Sequence, residues 1–246
     1  MPTSSPESDR LYFRQLLSGR DFARSDQLAK QMVNFAYLIG DREKGEAVIV
    51  DPAYGVEELL GTAEADGMKV IGALATHYHP DHVGGSMMGY KIEGVRELLG
   101  RGGPAIPVHI QGDEAFGMQK VTGCSQDDLA LHDGGDVVMV GDIPITLLHT
   151  PGHTPGSQCF LVEGMLVSGD TLFLEGCGRV DLPGASAEQM YESLNTVIAK
   201  LPDDTIVYPG HLYSPESSAS LSEIKQHNYV YRFRTLDQFL IMFQNG

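Results

Sequence analysis

The chain is poor in cysteine. It has three among 246 residues, Cys124, Cys159 and Cys177, and no two of them form a CxxC pair. An odd number of widely spaced cysteines argues against a disulfide framework, and the lack of CxxC pairs argues against a zinc site built from thiolates. We therefore expect these side chains to pack as small apolar groups.

Basic residues are also scarce: 17 Lys and Arg stand against 33 Asp and Glu, for a formal net charge of −16. A phosphate backbone is bound by clustered Lys and Arg, so nucleic acid is not expected as a partner. No stretch reaches the roughly 18 apolar residues that cross a bilayer, and no secretory signal is visible at the N-terminus. We therefore expect a cytoplasmic protein without a membrane contact. The oligomeric state, a dimer included, is left open.

Strand-like runs alternate with helical ones along the chain. Strands are predicted at about 32–39, 46–51, 69–75, 137–140, 145–149, 158–163, 165–170 and 205–208, and helices at 56–65, 94–99, 187–200 and 235–243. Because helices separate groups of strands, we expect two sheets that face each other, with helices on their outer faces. No linker divides the chain, so we expect one domain over 1–246, with a disordered tail at 1–10 and a short helical extension at 212–246.

The most specific motif is THYHPDH at 76–82, which has the form HxHxDH. His77 and His79 lie two positions apart directly after a predicted strand, where their imidazoles can converge on one ion. Asp81 and His82 follow and can turn toward a second ion beside it. Imidazole nitrogens and carboxylate oxygens suit zinc, iron and manganese alike. The motif therefore predicts a metal site.

Three further side chains follow predicted strands and have glycine beside them. They are His153 in TPGHTPG, Asp170 in SGDT and His211 in YPGH. A loop at the end of a strand is the usual place for a ligand that a rigid scaffold must hold. Each residue alone is a weak candidate, because single histidines more often pack or lie at the surface.

HxHxDH, TPGHTPGS, GDTLF and PGH, in that order, resemble the metallo-β-lactamase superfamily over about residues 32–215. The resemblance implies an α/β (α+β) protein with an αββα sandwich and a metal site at the edge between two mixed sheets. It also implies two divalent cations, zinc first and iron or manganese as alternatives. One set of ligands is His77, His79 and His153, the other is Asp81, His82 and His211, and Asp170 bridges both cations.

Two adjacent cations predict a hydrolase. They can hold a bridging hydroxide and polarise the carbonyl that it attacks, so no serine or cysteine nucleophile is needed. Asp81 is the candidate catalytic residue, because it can orient the attacking water or pass its proton to the leaving group. We expect cleavage of an ester, thioester, lactone or amide. A non-catalytic scaffold with the same fold is a further hypothesis, but all seven ligand positions are filled here.

GDTLF at 169–173 followed by GCGR at 176–179 resembles the glyoxalase II (hydroxyacylglutathione hydrolase) branch. The resemblance implies that Arg179 and Tyr213 bind a glutathione derivative; a structural ion pair between Arg179 and Asp181 is the alternative. Asp181 replaces a tyrosine of that family, and its long C-terminal helical domain is missing. Arg232 and Arg234 are weak substitutes for the basic residues of that domain.

GCGRVD at 176–181 is also similar to the GCGRTD segment of persulfide dioxygenases. That resemblance implies a single Fe(II), held by His77 or His79 together with His153 and Asp170, which oxidises glutathione persulfide. GRVDLPG at 178–184 occurs in compact glyoxalase II-like hydrolases as well. We therefore predict a glyoxalase II-like hydrolase of thioesters or esters first, and a persulfide dioxygenase as the alternative.

The segment 83–90 follows the histidine motif and could supply a substrate pocket through Met87, Met88 and Tyr90. Packing in the core is the favoured interpretation for these three residues. Four histidines fall outside the motifs and are expected to be structural or exposed, with a hydrogen bond from His149 to a ligand as a minor alternative: His109, His132, His149 and His227.

Overall fold

The computed structural model describes residues 10–101 and 106–244. In these residues the strands are, in chain order, β1 (Leu11–Leu17), β2 (Phe35–Asp41), β3 (Glu46–Val50), β4 (Lys69–Leu74), β5 (Gly85–Met87), β6 (Tyr90–Ile92), β7 (Val108–Gln111), β8 (Leu129–His132), β9 (Val137–Val140), β10 (Ile143–His149), β11 (Gln158–Val162), β12 (Met165–Gly169), β13 (Ile206–Pro209) and β14 (Ala219–Ser220). The α-helices are α1 (Gln27–Met32), α2 (Val56–Ala65), α3 (Pro80–Val83), α4 (Val95–Leu99), α5 (Ala115–Thr122), α6 (Ala187–Glu192), α7 (Leu221–His227) and α8 (Leu236–Gln244).

Two six-stranded sheets carry the fold. The first has the strand order β1-β2-β3-β4-β7-β8 and the second has β14-β13-β12-β11-β10-β9. Both are mixed: β4 is parallel to β3 and β7, and β12 is parallel to β13, whereas β1–β2 and β10–β11 are antiparallel pairs. β5 and β6 form a separate hairpin.

The two sheets pack face to face, and helices cover their outer faces. Strand β2 shows how the sequence builds this arrangement, because alternate side chains of a strand point to opposite faces. Phe35, Tyr37 and Ile39 join the core between the sheets, and Ala36 and Leu38 join the core beneath the helices. Burial of one such large apolar side chain contributes about 1.5–3 kcal/mol. The predicted αββα sandwich is confirmed.

Helices on the two faces come from different parts of the chain. Residues of α1 and α2 pack on the first sheet. Residues of α6, α7 and α8 pack on the second. The predicted helix at 187–200 is helical throughout, because a π-helical turn (Ser193–Val197) and a 3₁₀ turn (Ile198–Lys200) continue α6. No helix in the described part of the chain is both long and apolar enough to cross a membrane.

Two predictions near the N-terminus need correction. The strand predicted at 32–39 begins only at Phe35, because α1 ends at Met32 and Val33 has a left-handed backbone conformation with φ of 48°. The tail predicted at 1–10 is wrong at its last residue. Arg10 donates two hydrogen bonds to the carboxylate of Asp41, at 3.0 and 2.7 Å, and also pairs with Asp142. The rest of that prediction, 1–9, lies outside the described residues.

Candidate metal centre

The HxHxDH motif lies in the loop that leaves the end of β4 and enters the short helix α3. His79 is the N-cap of this helix, and Pro80 occupies its first turn, where a missing backbone N–H costs nothing. The turn of helix carries Asp81 and His82 inward behind His77 and His79. His77, Asp81 and His82 are all buried.

The three remaining candidates leave the ends of strands in the second sheet. His153 follows β10, Asp170 follows β12 directly, and His211 follows β13. The glycines beside them are required by space. A Cβ atom on Gly210 would lie 2.4 Å from Oδ1 of Asp170, and one on Gly152 would lie 2.5 Å from the backbone of Met190. These loops can therefore reach the cluster only because glycine brings their backbones close.

The seven side chains that the sequence predicted as ligands converge at one edge of the sandwich. They form three overlapping groups in which the candidate ligand atoms lie within 4.8 Å of one another: His77, His79 and His153; His77, His82 and Asp170; and Asp81, His82 and His211. Each group combines side chains from the β4 loop of the first sheet with a side chain from a loop of the second sheet.

Hydrogen bonds on the outer side of the cluster fix the tautomers of four histidines. Nδ1–H of His153 donates to the carbonyl of Arg179 at 2.8 Å, and Nδ1–H of His211 donates to that of Met32 at 2.7 Å. Nδ1–H of His82 donates to Asp51 at 2.8 Å, and Nδ1 of His77 lies 3.0 Å from the Thr76 hydroxyl. With Nδ1 protonated, each ring presents the lone pair of Nε2 to the centre of the cluster, as a metal requires.

Two buried atoms at the centre have no hydrogen-bond partner among the described residues. They are Nε2 of His77 and Oδ1 of Asp170. A buried polar atom without a hydrogen-bond partner costs about 1–3 kcal/mol, so such atoms are rare in native proteins and often mark a ligand site. Nε2 of His153 and Nδ1 of His79 also face each other at 2.9 Å. The donor set therefore fits a divalent cation.

The pKa shifts of His82 and Asp170 agree with a cation site. Burial lowers the pKa of His82, but the carboxylates of Asp170, Asp81 and Asp51 outweigh burial and raise that pKa to about 10. Burial raises the pKa of Asp170, but His211 and His82 hold it well below its usual range. The cluster therefore keeps the carboxylate of Asp170 ionised and favours positive charge beside it.

Asp51 is a site residue that the sequence motifs did not indicate. It follows β3, is buried, and has a strained φ of 52°. Its Oδ1 accepts from the backbone N–H of Thr76 at 2.8 Å, and its Oδ2 accepts from the hydroxyl of Thr76 at 2.7 Å and from His82. The sequence signal for Asp51 was an acidic residue at the end of an apolar strand, a pattern that also occurs by chance.

Glu114 is a second residue that sequence reasoning missed. Its buried carboxylate accepts the backbone N–H of Tyr78 at 2.7 Å through Oε2 and that of Gly156 at 2.7 Å through Oε1. Tyr78 stands between His77 and His79, and Gly156 belongs to the loop of His153. One carboxylate therefore joins the two loops that carry the first ligand group.

A cavity of about 610 Å³ opens onto the cluster. Both residues predicted to bind substrate line it. The ring of Tyr213 stacks on that of His211, with centroids 4.6 Å apart and planes 9° apart. Arg179 is exposed and donates two hydrogen bonds to Asp181, at 2.8 and 2.7 Å. The ion pair that was the structural alternative for Arg179 is therefore present. Arg232 and Arg234 are not among the residues that line this cavity.

The hairpin β5–β6 forms part of the cavity wall. Met87 is half-buried, and Met88 is 80% exposed at the turn; both line the cavity. Tyr90 is exposed as well. Packing in the core was therefore the wrong interpretation for Met88 and Tyr90, because Met88 and Gly89 both have positive φ and form a tight turn that points into solvent.

The other histidines and the cysteines lie outside the cluster. Nε2 of His149 contacts the carbonyl of Pro155 rather than a ligand, so the minor alternative for it is wrong. His109 and His132 contact each other at 2.9 Å. All three cysteines are free, and they are buried or half-buried against apolar neighbours as predicted.

Comparisons with known proteins agree with this geometry. A family model described as the metallo-β-lactamase superfamily matches residues 30–211. The chain is 35% identical over 201 residues to the cytoplasmic hydroxyacylglutathione hydrolase of Arabidopsis thaliana, covering 79% of this chain and 70% of that protein. It is 32% identical over 229 residues to the human mitochondrial persulfide dioxygenase ETHE1, covering 87% and 80%. The crystal structure of ETHE1 from Myxococcus xanthus is similar with a TM-score of 0.76 and 29% identity, covering 95% of this chain and 90% of that one.

Proposed function

Because this chain belongs to the metallo-β-lactamase superfamily, we propose that it is a metal-dependent hydrolase of thioesters or esters, of the glyoxalase II type. The observation that carries the proposal is the convergence of seven histidine and aspartate side chains in three overlapping groups. In each group, the candidate ligand atoms lie within 4.8 Å of one another. A fold alone does not define an activity, so the proposal rests on this site.

We propose two divalent cations, with zinc first and iron or manganese as alternatives. His77, His79 and His153 would hold one, and Asp81, His82 and His211 the other. Support for a bridge comes from Asp170. Its Oδ1 lies 3.4 Å from Nε2 of His82 and 3.5 Å from Nε2 of His211, while its Oδ2 lies 3.6 Å from Nε2 of His153. The two carboxylate oxygens thus face different groups.

Two bound cations supply a hydroxide nucleophile near neutral pH and polarise the carbonyl under attack. The residues of the chain then bind and orient. Asp81 stands at the cavity floor, where its carboxylate can hold the attacking water or carry a proton to the leaving group. Tyr213 and Phe173 meet edge to face and form an apolar wall of the cavity beside His211.

We propose a small-molecule thioester as substrate, with a glutathione derivative as the first choice and Arg179 and Tyr213 as its contacts. Both residues line the cavity, and a relative bears the name hydroxyacylglutathione hydrolase. The Arg179–Asp181 pair is exposed, and such pairs are worth about 0–1 kcal/mol. A substrate carboxylate can therefore displace Asp181. A cytoplasmic location is part of the same proposal, as the name of the Arabidopsis relative has it.

A specific observation also favours a second function, persulfide dioxygenase with a single Fe(II). The similarity to the human and Myxococcus ETHE1 proteins covers more of the chain than that to the Arabidopsis hydrolase. The segment 176–181, shared with that family, lies at the cavity and includes the Arg179–Asp181 pair. The ligands would be His77 or His79 with His153 and Asp170.

Metal analysis paired with two assays separates the two functions. The protein is purified without added metal, its metal content is measured, and thioester hydrolysis and oxygen uptake are assayed on the same preparation. About two zinc ions per chain, thioester turnover and no oxygen uptake with glutathione persulfide support the hydrolase. One iron per chain with oxygen consumption contradicts it and supports the dioxygenase.

A further inference from the structure

The side-chain amide of Asn34 touches all three side chains of the second ligand group, here the set Asp81, His82 and His211. Its Nδ2 lies 3.2 Å from Oδ2 of Asp81, 3.4 Å from Nε2 of His82 and 3.4 Å from Nε2 of His211. Asn34 is 3% exposed, and its Oδ1 is buried without a partner among the described residues. Asn34 lies outside every ligand motif that the sequence analysis used, and neither the motifs nor the relatives' names assign it a role.

The contacting atom is the amide nitrogen, which carries two N–H donors and does not ligate a metal. At 3.2 Å the amide donates a hydrogen bond to Oδ2 of Asp81. Its longer contacts, at 3.4 Å, place it beside both histidines of the same group. The first group (His77, His79 and His153) has no such contact with Asn34 in the described structure.

The backbone around Asn34 holds the amide in place. The N–H of Phe35 donates to the carbonyl of Gly210 at 2.8 Å, and the N–H of Leu212 donates to that of Val33 at 2.9 Å. These bonds pair Asn34 with His211 across the two sheets. This connection between the start of β2 and the end of β13 therefore fixes the backbone of Asn34 beside that of His211.

The hydrogen bond from Asn34 to Asp81 differs from the bonds that orient the two histidines. His82 and His211 are oriented by acceptors on their outer nitrogens, namely Asp51 and the carbonyl of Met32. Within residues 10–101 and 106–244, Asn34 is the one hydrogen-bond donor outside the cluster that reaches Asp81. A hydrogen bond of this kind to a ligand typically changes metal affinity about 10–100-fold.

We propose that Asn34 is a positioning residue for the second cation and decides whether the protein holds one cation or two. The proposal rests on the two-cation hydrolase described above. The amide N–H keeps Oδ2 of Asp81 directed at His82 and His211, so the second group closes around an ion. Without the amide, Asp81 turns away and the first group alone retains its cation.

Metal binding by Asn34→Ala tests the proposal directly. The wild-type protein, Asn34→Ala and a matched control, Asn228→Ala, are stripped with a chelator and titrated with Zn²⁺ in competition with a chromophoric chelator. Asn228 is also a buried asparagine, but its amide bonds to the backbone of Phe173 and Gly176. Total metal at saturation is measured by elemental analysis. Absorption after Co²⁺ loading reports the coordination of each ion separately.

We expect two ions in the wild type and in Asn228→Ala, with the second ion bound about 10–100-fold more weakly in Asn34→Ala and the first unchanged within about threefold. Asn34→Ser, whose side chain is too short to reach the three ligands, shows the same loss if the alanine variant does not fold. A folded Asn34 variant that binds both ions as tightly as the wild type does overturns the inference alone. A wild type that binds one ion at saturation overturns the proposed function and the inference with it.

Discussion

Oδ2 of Asp51 accepts a hydrogen bond from Nδ1–H of His82 at 2.8 Å, and in the neutral ring this bond directs the lone pair of Nε2 toward the cluster. The same carboxylate binds the backbone and hydroxyl of Thr76, the residue that precedes His77. Asp51 is therefore the point at which the end of β3 fixes the position of the whole HxHxDH loop. Its role is to orient ligands.

From this relationship we predict that Asp51→Ala weakens metal binding about 10–100-fold, because His82 loses the acceptor that selects its tautomer. Metal affinity measured by chelator competition checks the prediction. Asp66→Ala is the matched control, since its half-buried carboxylate accepts from Tyr12 and Arg14 away from the cluster. Wild-type metal affinity in Asp51→Ala would show that the bond has no part in the site.

Glu114→Gln should selectively weaken binding of the cation at the first ligand group (His77, His79 and His153). An amide presents one oxygen, so one of the two backbone N–H groups of Tyr78 and Gly156 loses its acceptor and meets an NH₂ instead. We expect about tenfold weaker binding at the first group, checked by the Zn²⁺ titration described above. Asp113→Asn removes an exposed carboxylate one residue away and should leave the titration unchanged. Equal loss at both groups, or none, would refute a selective role.

Asp170→Ala should remove or disorder the metal ions while the fold persists. The side chain faces both ligand groups, but the sheet cores do not depend on it. Elemental analysis should find well under one ion per chain, and circular dichroism should match that of the chelated wild type. A variant with full metal content and activity would show that the bridging assignment is wrong.

Arg179→Ala should raise KM for glutathione thioesters several-fold with little change in kcat, if its guanidinium binds a substrate carboxylate. Asp181→Ala should do the opposite and lower KM, because it frees the same guanidinium from its ion pair. Steady-state kinetics with one thioester on both variants checks the pair. An unchanged KM in both variants would make the pair structural only.

Acid stability should depend on Arg10. The Arg10 guanidinium holds the pKa of Asp41 well below its usual range. A depressed carboxyl pKa adds stability above the usual value near 3.8, and this stability is lost as the pH falls through the folded-state value. The free energy of unfolding of Arg10→Ala should therefore fall below that of the wild type at pH 7, with the gap closing below about pH 4. Arg20→Ala removes the exposed ion pair between Arg20 and Asp21 and should lower the free energy of unfolding by less. A gap that does not change with pH would exclude this linkage.

Local patterns predicted much of the fold and of the ligand set. Helix α2 begins and ends where its apolar spacing and Gly67 placed it, because both signals lie within one helix. Asn34, Asp51 and Glu114 could not be found in this way. Their partners are 47, 25 to 31, and 36 to 42 positions away, so no local pattern reports them. Strand β1 was not predicted, because its extended conformation is defined by its pairing with β2 and not by a local pattern.

Each ligand group takes side chains from loops of both sheets, and this has a consequence for unfolding. A cation held by His82 and His211 links residues 129 positions apart, so it closes a long loop of chain much as a disulfide would. With such an ion bound, separation of the two halves of the sandwich would require the ion to leave. The rate of irreversible heat inactivation should therefore follow the rate of metal dissociation, and protection should increase with free metal concentration.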